Sequence, residues 1–386
     1  MNPPARPTGM VSNTVGILRH YFLPKSETFI YRQLAALTTH RARVFCVAQK
    51  NAERFPFPDV YQLKRERGLL AQIGFRVFMA DRHLDAWVRR HDIRLLHAHM
   101  GYTGVWGVRQ ARKGLPLFVS YYGRDVTLLR SLSRFHPEFL HYTLGHRGLF
   151  RHASKVIVLS EHMKGQLIEQ GCPASSLAVI RLAADHERFR PPAERPAGFV
   201  VLMVGRMVEK KGFADGLRAF ALFRHRQRAS NSTAPRLIII GYGELETSLR
   251  QLARKLAIDD CMDIYGPGED VAPWMARSHV LMAPSKTARN GDQEGTPTVI
   301  CEGACAELPV VATRHAGIPE QVDEGRNGFL VDEGDVEGLA ERLERLYANP
   351  SLRDELGRAG RHKMLAEYNL THEVAKLEAL YSAAMG

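Results

Sequence analysis

The chain has 386 residues, of which 45% are hydrophobic and 24% charged, and a formal net charge of +12. That is enough chain for two domains with full cores, and the composition is that of a folded globular protein rather than a disordered or fibrous one. No stretch reaches the roughly 20 apolar residues that span a bilayer, the start MNPPARPTGMVSNTVG has no apolar signal core, and Cys46, Cys172, Cys261, Cys301 and Cys305 form no C-x-x-C pair, against a zinc finger or a disulfide scaffold.

The expected location is therefore cytoplasmic. Charge divides unevenly, since residues 1–195 carry 30 Lys and Arg against 14 Asp and Glu, whereas 196–386 carry 23 against 27. A basic first half suits an anionic partner, either an acidic membrane surface or nucleic acid, and an arginine-rich cytosolic protein would show the same imbalance. No nucleic-acid motif is present, and nucleic acid is not expected as a partner.

Val15 to Phe22 reads as the first strand. Ser26-Glu27-Thr28 then opens a helix through Leu37, with Ser26 at the N-cap and Glu27 in the favoured first turn. Arg43 to Ala48 is a second strand, and Phe55 to Arg90 is mostly helical by period. Its basic run Lys64-Arg65-Glu66-Arg67, near Ile73, Phe75, Val77 and Phe78, fits a membrane-touching face or a solvated charge run beside a core stripe. The strand Ile93 to Ala98 ends in His97-Ala98-His99. With no third ligand nearby and the two rings expected on opposite faces, His99 reads as a cleft-facing polar group rather than a metal ligand. Leu117 to Tyr121 runs into Tyr122-Gly123-Arg124-Asp125, Lys155 to Leu159 into the helix start Ser160-Glu161-His162, and Ala178 to Arg181 is the last strand of this half. Residues 183–198, rich in Pro and charge, read as a linker.

The second half opens with the strand Phe199 to Val204 and the turn Gly205-Arg206-Met207-Val208-Glu209-Lys210-Lys211-Gly212. Strand, Gly-containing turn and helix make a nucleotide site at the carboxyl ends of strands, and Arg206 and Lys211 are cations suited to a diphosphate. Leu237 to Ile240 runs into Gly241-Tyr242-Gly243-Glu244, a dinucleotide fingerprint whose third glycine is replaced by Glu246, which argues against NAD. A buried strand (Val280 to Ala283), a polar loop (Ser285 to Gly295), a helix from near Thr296 and a strand (Pro309 to Thr313) follow. Thr296 suits the N-cap and Pro297 the first helical position, leaving the amides of Thr298 and Val299 at a positive helix end that Gly295 lets a ligand approach. Such an end suits an anion, best a phosphate. Glu294 and Glu302 frame it, and a phosphate would repel both, so each is placed to accept hydrogen bonds from hydroxyls to either side. An ordinary βαβ unit with two solvated glutamates fits the same local pattern. Cys301 and Cys305, one turn apart, read as small residues on the packed side. Phe329 to Val331 is a last strand, and helices near Val336 to Tyr347, Ser351 to Tyr368 and Leu370 to Ala384 close the chain.

The string from Pro284-Ser285 through E-G-T-P-T-V-I-C-E (294–302) and P-V-V-A-T (309–313) to G-I-P-E (317–320) resembles the donor-site signature of the retaining glycosyltransferases of family 4. G-R-x-x-x-x-K-G (205–212) resembles their second signature, and P-K-S-E-T-F-I (24–30) the start of those active in exopolysaccharide, colanic-acid-type assembly. The resemblance implies an α/β chain of GT-B fold, two Rossmann-like doubly wound parallel-sheet domains facing across a cleft. Residues 1–190 would bind the acceptor, 191–368 the nucleotide sugar, and 369–386 would pack back on the first domain. It implies that Glu294 holds the transferred sugar and Glu302 the ribose, and that Gly295, Thr296, Pro297, Thr298 and Val299 hold the diphosphate. Gly205 and Gly243 belong to the same donor site, and Tyr265-Gly266 to the loop that meets the base. Arg206 and Lys211 would carry the leaving diphosphate, making Arg206, Lys211 and Glu294 the catalytic set. Glu27, His99, Tyr122 and Asp125 fall on the acceptor side. The family often has His-Gly-x-Asp where this chain reads Tyr122-Gly123-Arg124-Asp125, so a catalytic histidine does not carry over, and a tyrosine is a poor base near neutral pH.

The expectation is retaining transfer of a sugar from a UDP- or GDP-sugar to an acceptor hydroxyl, the acceptor being a lipid-linked glycan of a surface polysaccharide. No metal or other cofactor is expected, because the cations supply the charge and no Asp-x-Asp motif lies among the site candidates. A same-fold epimerase or phosphorylase, a non-catalytic binding protein and a nucleic-acid binder are the rivals.

Overall fold

Runs such as Val15-Gly16-Ile17-Leu18 and Leu237-Ile238-Ile239-Ile240 are buried throughout, as strands covered by helices on both faces must be. The computed structural model describes residues 13–24, 28–64, 82–227 and 234–386. Two parallel sheets form from them. The first joins β1 (Thr14–Phe22), β2 (Arg41–Gln49), β3 (Val60–Gln62), β4 (Leu95–His99), β5 (Leu117–Ser120), β6 (Lys155–Val158) and β7 (Leu177–Val179) in the order β3-β2-β1-β4-β5-β6-β7. The second joins β8 (Val200–Val204), β9 (Arg236–Ile240), β10 (Met262–Tyr265), β11 (Val280–Ala283), β12 (Val310–Thr313) and β13 (Gly328–Val331) in the order β10-β9-β8-β11-β12-β13. Each sheet reverses direction of growth once, at β1/β4 and at β8/β11. Crevices form at the carboxyl ends of strands flanking such a switch, and ligands bind there.

The carboxyl ends of the two sheets face each other, and the facing loops touch. A Cβ on Gly123 would lie 2.8 Å from the Gly295 nitrogen, and one on Gly295 would lie 2.5 Å from the Tyr122 carbonyl oxygen. The Glu320 carboxylate accepts the backbone N–H groups of Glu161 (3.1 Å) and His162 (3.0 Å), closing the open start of the helix Glu161–Glu169 from the other domain. Gln166 Nε2 donates to Gln293 Oε1 at 2.9 Å beside it.

The last helix, Leu370–Met385, docks on the first sheet, where Leu377 and Tyr381 join a core with Val15, Ile17, Val44 and Phe118. Its Glu378 accepts the backbone N–H groups of Thr38, Thr39 and His40 at 2.8–3.0 Å.

Two expectations need correction, and a third set falls outside the described residues. Residues 60–62 form β3 rather than part of a helix, because pairing with β2 outweighs the local period, while Leu63, Lys64 and Arg82–Arg90 are helical among the described residues. Arg65, Glu66, Arg67, Ile73, Phe75, Val77 and Phe78, like Ser26 and Glu27, lie outside the described residues. His97 and His99 share one face, their rings stacked with centroids 4.3 Å apart, since residues two apart on a strand project to the same side.

Candidate active site

The turn after β8 places the cations. A single 3₁₀ turn, Glu209–Lys211, is ended by Gly212 at φ 64°, where a Cβ would fall 1.7 Å from the Pro284 carbonyl oxygen. Glycine there lets the turn lie directly against the end of β11. The two lysines then diverge. Lys210 is buried and donates to the Gln293 carbonyl (2.8 Å) and Asp292 Oδ1 (3.1 Å), while Lys211 Nζ donates to Glu294 Oε2 at 3.0 Å.

The loop from Ser285 to Gly295 is held at both ends from the far side. Glu333, just after β13, accepts the Thr287 N–H (2.8 Å) and pairs at 2.6 Å with His315 Nδ1. His315 Nε2 lies 3.0 Å from the Glu294 N and accepts its N–H, so the proton on Nδ1 faces Glu333. This chain fixes the backbone of Glu294.

The helix begins at Thr298, one residue later than expected. Pro297, at ψ 115°, is the flanking residue rather than the first helical one, and Thr296 makes no cap. Among the described residues its hydroxyl is instead buried without a hydrogen-bond partner, as is Glu294 Oε1. The first helical amides, of Thr298 and Val299, open onto a cleft of about 460 Å³ lined by Gly205, Arg206, Lys211, Glu294, Gly295, Thr296, Pro297, Thr298, Val299 and Glu302, and across from them by Tyr122, Tyr102 and Arg124. Burial alone would push Glu294 up, but Lys211 and then Lys210 outweigh it and hold the carboxyl below its ordinary value. Burial pushes Glu302 above the ordinary value, with Arg32 the largest opposing charge.

On the first domain, Tyr122 lies at the cleft wall with its hydroxyl turned inward to His99 Nδ1 (2.6 Å). His99 is fully buried behind it, its Nε2 without a hydrogen-bond partner among the described residues, and desolvation with the neighbouring His97 and Arg19 keeps the ring neutral. His99 is thus a support for Tyr122 and not cleft-facing as expected. Asp125 is also fully buried, and its carboxylate accepts the N–H groups of Gly101, Tyr122 and Gly123 at 2.9–3.1 Å, shaping the turn rather than meeting an acceptor.

Gly243, Tyr265 and Gly266 stand at the same sheet edge without lining this cleft. Gly243 backs onto the Met207 carbonyl, Tyr265 packs on Trp274 with ring centroids 4.3 Å apart, and Gly266 faces open space. Lys210, His315, Glu333 and Arg124 escaped the sequence reading. Lys210 sits inside the G-R-x-x-x-x-K-G string but at a position the string leaves free, and the others act through contacts distant along the chain.

Two doubly wound parallel-sheet domains with such a cleft between their carboxyl ends define the GT-B class. Residues 26–188 match the family model described as Glycosyltransferase Family 4, and residues 198–349 the one described as Glycosyl transferases group 1. The chain belongs to the family 4 glycosyltransferases. It is 33% identical over 253 residues to WcaL of Escherichia coli (strain K12), named for colanic acid biosynthesis, the match covering 64% of this chain and 59% of WcaL. It is 29% identical over 288 residues to the amylovoran biosynthesis glycosyltransferase AmsK of Erwinia amylovora, covering 72% of this chain and 67% of AmsK. The chain thus spans about three fifths of WcaL's length. HepE of Anabaena, crystallised with UDP, shares the fold with a TM-score of 0.76 at 19% identity, over 96% of this chain and 99% of HepE. WaaG, from lipopolysaccharide biosynthesis, does so with a TM-score of 0.70 at 16% identity, over 94% and 99%.

Proposed function

We propose that the protein transfers a glycosyl group, with retention, from a nucleotide diphosphate sugar to a hydroxyl of a lipid-linked glycan in surface-polysaccharide assembly. One observation carries the reading: Arg206, Lys211, the open end of the helix Thr298–Cys305 and the two glutamates converge on a single cleft. A diphosphate at the helix end meets the Thr298 and Val299 amides on one side and Arg206 and Lys211 on the other. These groups stabilise the charge that grows as the sugar–phosphate bond breaks, and no metal is needed for that. Glu294, ionised and held by Lys211, has an Oε1 that makes no hydrogen bond among the described residues and lies 4.0 Å from Lys210 Nζ, available to accept one from a sugar hydroxyl, and Glu302 serves the ribose. The departing phosphate oxygen takes the acceptor proton as the acceptor attacks from the same face, so Tyr122 acts in positioning and not as a base. The lipid-linked acceptor is supported by the relatives named for colanic acid and amylovoran biosynthesis and by the basic first half of the chain.

HepE's complexes with UDP and UDP-glucose make UDP the first base to try. In thermal denaturation without added metal, a matching nucleoside diphosphate should raise the melting temperature in proportion to the logarithm of its concentration. Glu302→Ala should lose at least about tenfold in that affinity, roughly 1.4 kcal/mol for a lost hydroxyl contact. No stabilisation by UDP, GDP or ADP would overturn the reading.

A further inference from the structure

We infer that Phe135, Leu140 and Leu144, flanked by Arg134, Arg147 and Arg151, dock the protein on a bilayer surface rich in anionic lipid. Six large hydrophobic side chains are markedly exposed among the described residues, and three of them fall within residues 135–144. Phe135 is 61%, Leu140 43% and Leu144 74% exposed. Scattered apolar exposure is ordinary, but a cluster on one face marks a contact surface.

The face is continuous. Leu140, Leu144, Arg147 and Arg151 follow one another at helical spacing along Leu140–His152, so two apolar residues lead into two cations on one side. Phe135 precedes them on the turn Leu132–Phe135, with the Arg134 guanidinium 4.6 Å over its ring. Of the five Arg in residues 124–152, Arg130 pairs with Glu169 and Arg124 lines the cleft, which leaves the exposed Arg134, Arg147 and Arg151 against Glu138, so this surface is net cationic. Apolar side chains for the headgroup boundary beside arginines for its negative charge fit an acidic membrane better than a neutral protein partner.

Its position gives it a use. Phe139, at the root of the patch, packs on Tyr102 with ring centroids 5.9 Å apart and lies under the Arg124 guanidinium at 5.2 Å, and both residues line the cleft. His141 Nε2 lies 2.9 Å from the Tyr102 carbonyl oxygen. The patch is therefore the outer continuation of the cleft's acceptor-side wall, and a bilayer resting on it would hold a lipid-borne acceptor at the cleft mouth. This deepens the proposed function and rests on it only for that consequence.

The test is co-sedimentation with vesicles of phosphatidylglycerol and phosphatidylethanolamine, with phosphatidylcholine vesicles as the uncharged control. The wild type should pellet with the anionic vesicles and be released by salt. The triple variant Phe135→Ser, Leu140→Ser, Leu144→Ser should bind at least about tenfold more weakly, and Arg147→Ser with Arg151→Ser should flatten the salt dependence. Nucleotide-induced stabilisation, measured without vesicles, should be unchanged in both, because none of these residues lines the cleft. A wild type that stays in the supernatant, or a triple variant that binds like it, overturns the inference. So does a wild-type dimer, seen by light scattering, that the triple variant splits, since the face would then join two copies. Absence of nucleotide stabilisation in the wild type would count against the donor site alone and leave the vesicle result standing.

Discussion

At the residue scale, adjacent lysines divide two tasks. Both line the cleft, but Lys210 bonds the Gln293 carbonyl and Asp292 and lies 4.0 Å from Glu294 Oε1, whereas Lys211 donates directly to Glu294 Oε2. On the proposed function, Lys211→Met should therefore lower kcat by about 10²–10³-fold with little loss of stability, because the cation proposed to meet the leaving group is lost. Lys210→Met should instead destabilise the fold by about 1–3 kcal/mol, because it frees a buried carbonyl and Asp292. Steady-state kinetics paired with urea denaturation separates the two, and equal effects on both measurements would refute the division. Lys211, after β8, and the pair Glu294 and Glu302, after β11, were legible in the sequence because each stands in its own strand–turn–helix unit. Lys210 differs from Lys211 only in which way a 3₁₀ turn points it, and His315 and Glu333 reach Glu294 from other loops. Spacing along the chain carries no trace of those contacts.

At the element scale, the turn after β5 and the loop before the helix Thr298–Cys305 meet backbone to backbone. Gly123 sits at φ 125°, and its missing side chain is what lets Gly295 approach. Gly123→Ala should strain its own turn by about 1–3 kcal/mol and hold the two domains apart. The expected outcome is a fall in kcat of about tenfold or more with nucleotide affinity nearly kept, since the groups proposed to hold the donor all belong to the second domain. Unchanged kcat would show that the close approach has no part in turnover. The sequence reading treated Gly295 as a place for a ligand to come near. The structure has Tyr122 of the facing domain there as well, a contact that no local pattern could announce because its partners are more than 170 residues apart.

At the scale of the whole molecule, the last helix follows the second domain in sequence and packs on the first. Glu378 anchors it. Burial would raise its carboxyl, but the amide of Thr39, the hydroxyls of Thr38 and Thr39 and the His40 ring pull it down to about 2. The folded value lies below the unfolded one, so its contribution is complete above the ordinary glutamate range and is lost as pH falls from about 4.5 towards 2. Glu378→Gln should cost roughly 2 kcal/mol at pH 7, and the gap from wild type should shrink by about 1 kcal/mol at pH 3.5. Urea denaturation at both pH values reads this, and a gap of constant size would contradict the anchoring role. His97 adds to acid sensitivity, since burial holds it down at about 3 and stability that depends on the neutral ring declines below the ordinary histidine value near 6.5. The sequence by itself determined the two parallel α/β halves, the open helix end near Thr298 and the spaced cations and glutamates beside it, because strand period and turn chemistry act over a few residues. Only the tertiary structure decided that His99 stands behind Tyr122, that Asp125 shapes a turn, that His315 fixes Glu294 and where the exposed apolar face lies. Those depend on which distant segments are packed together, and packing is set by the whole core.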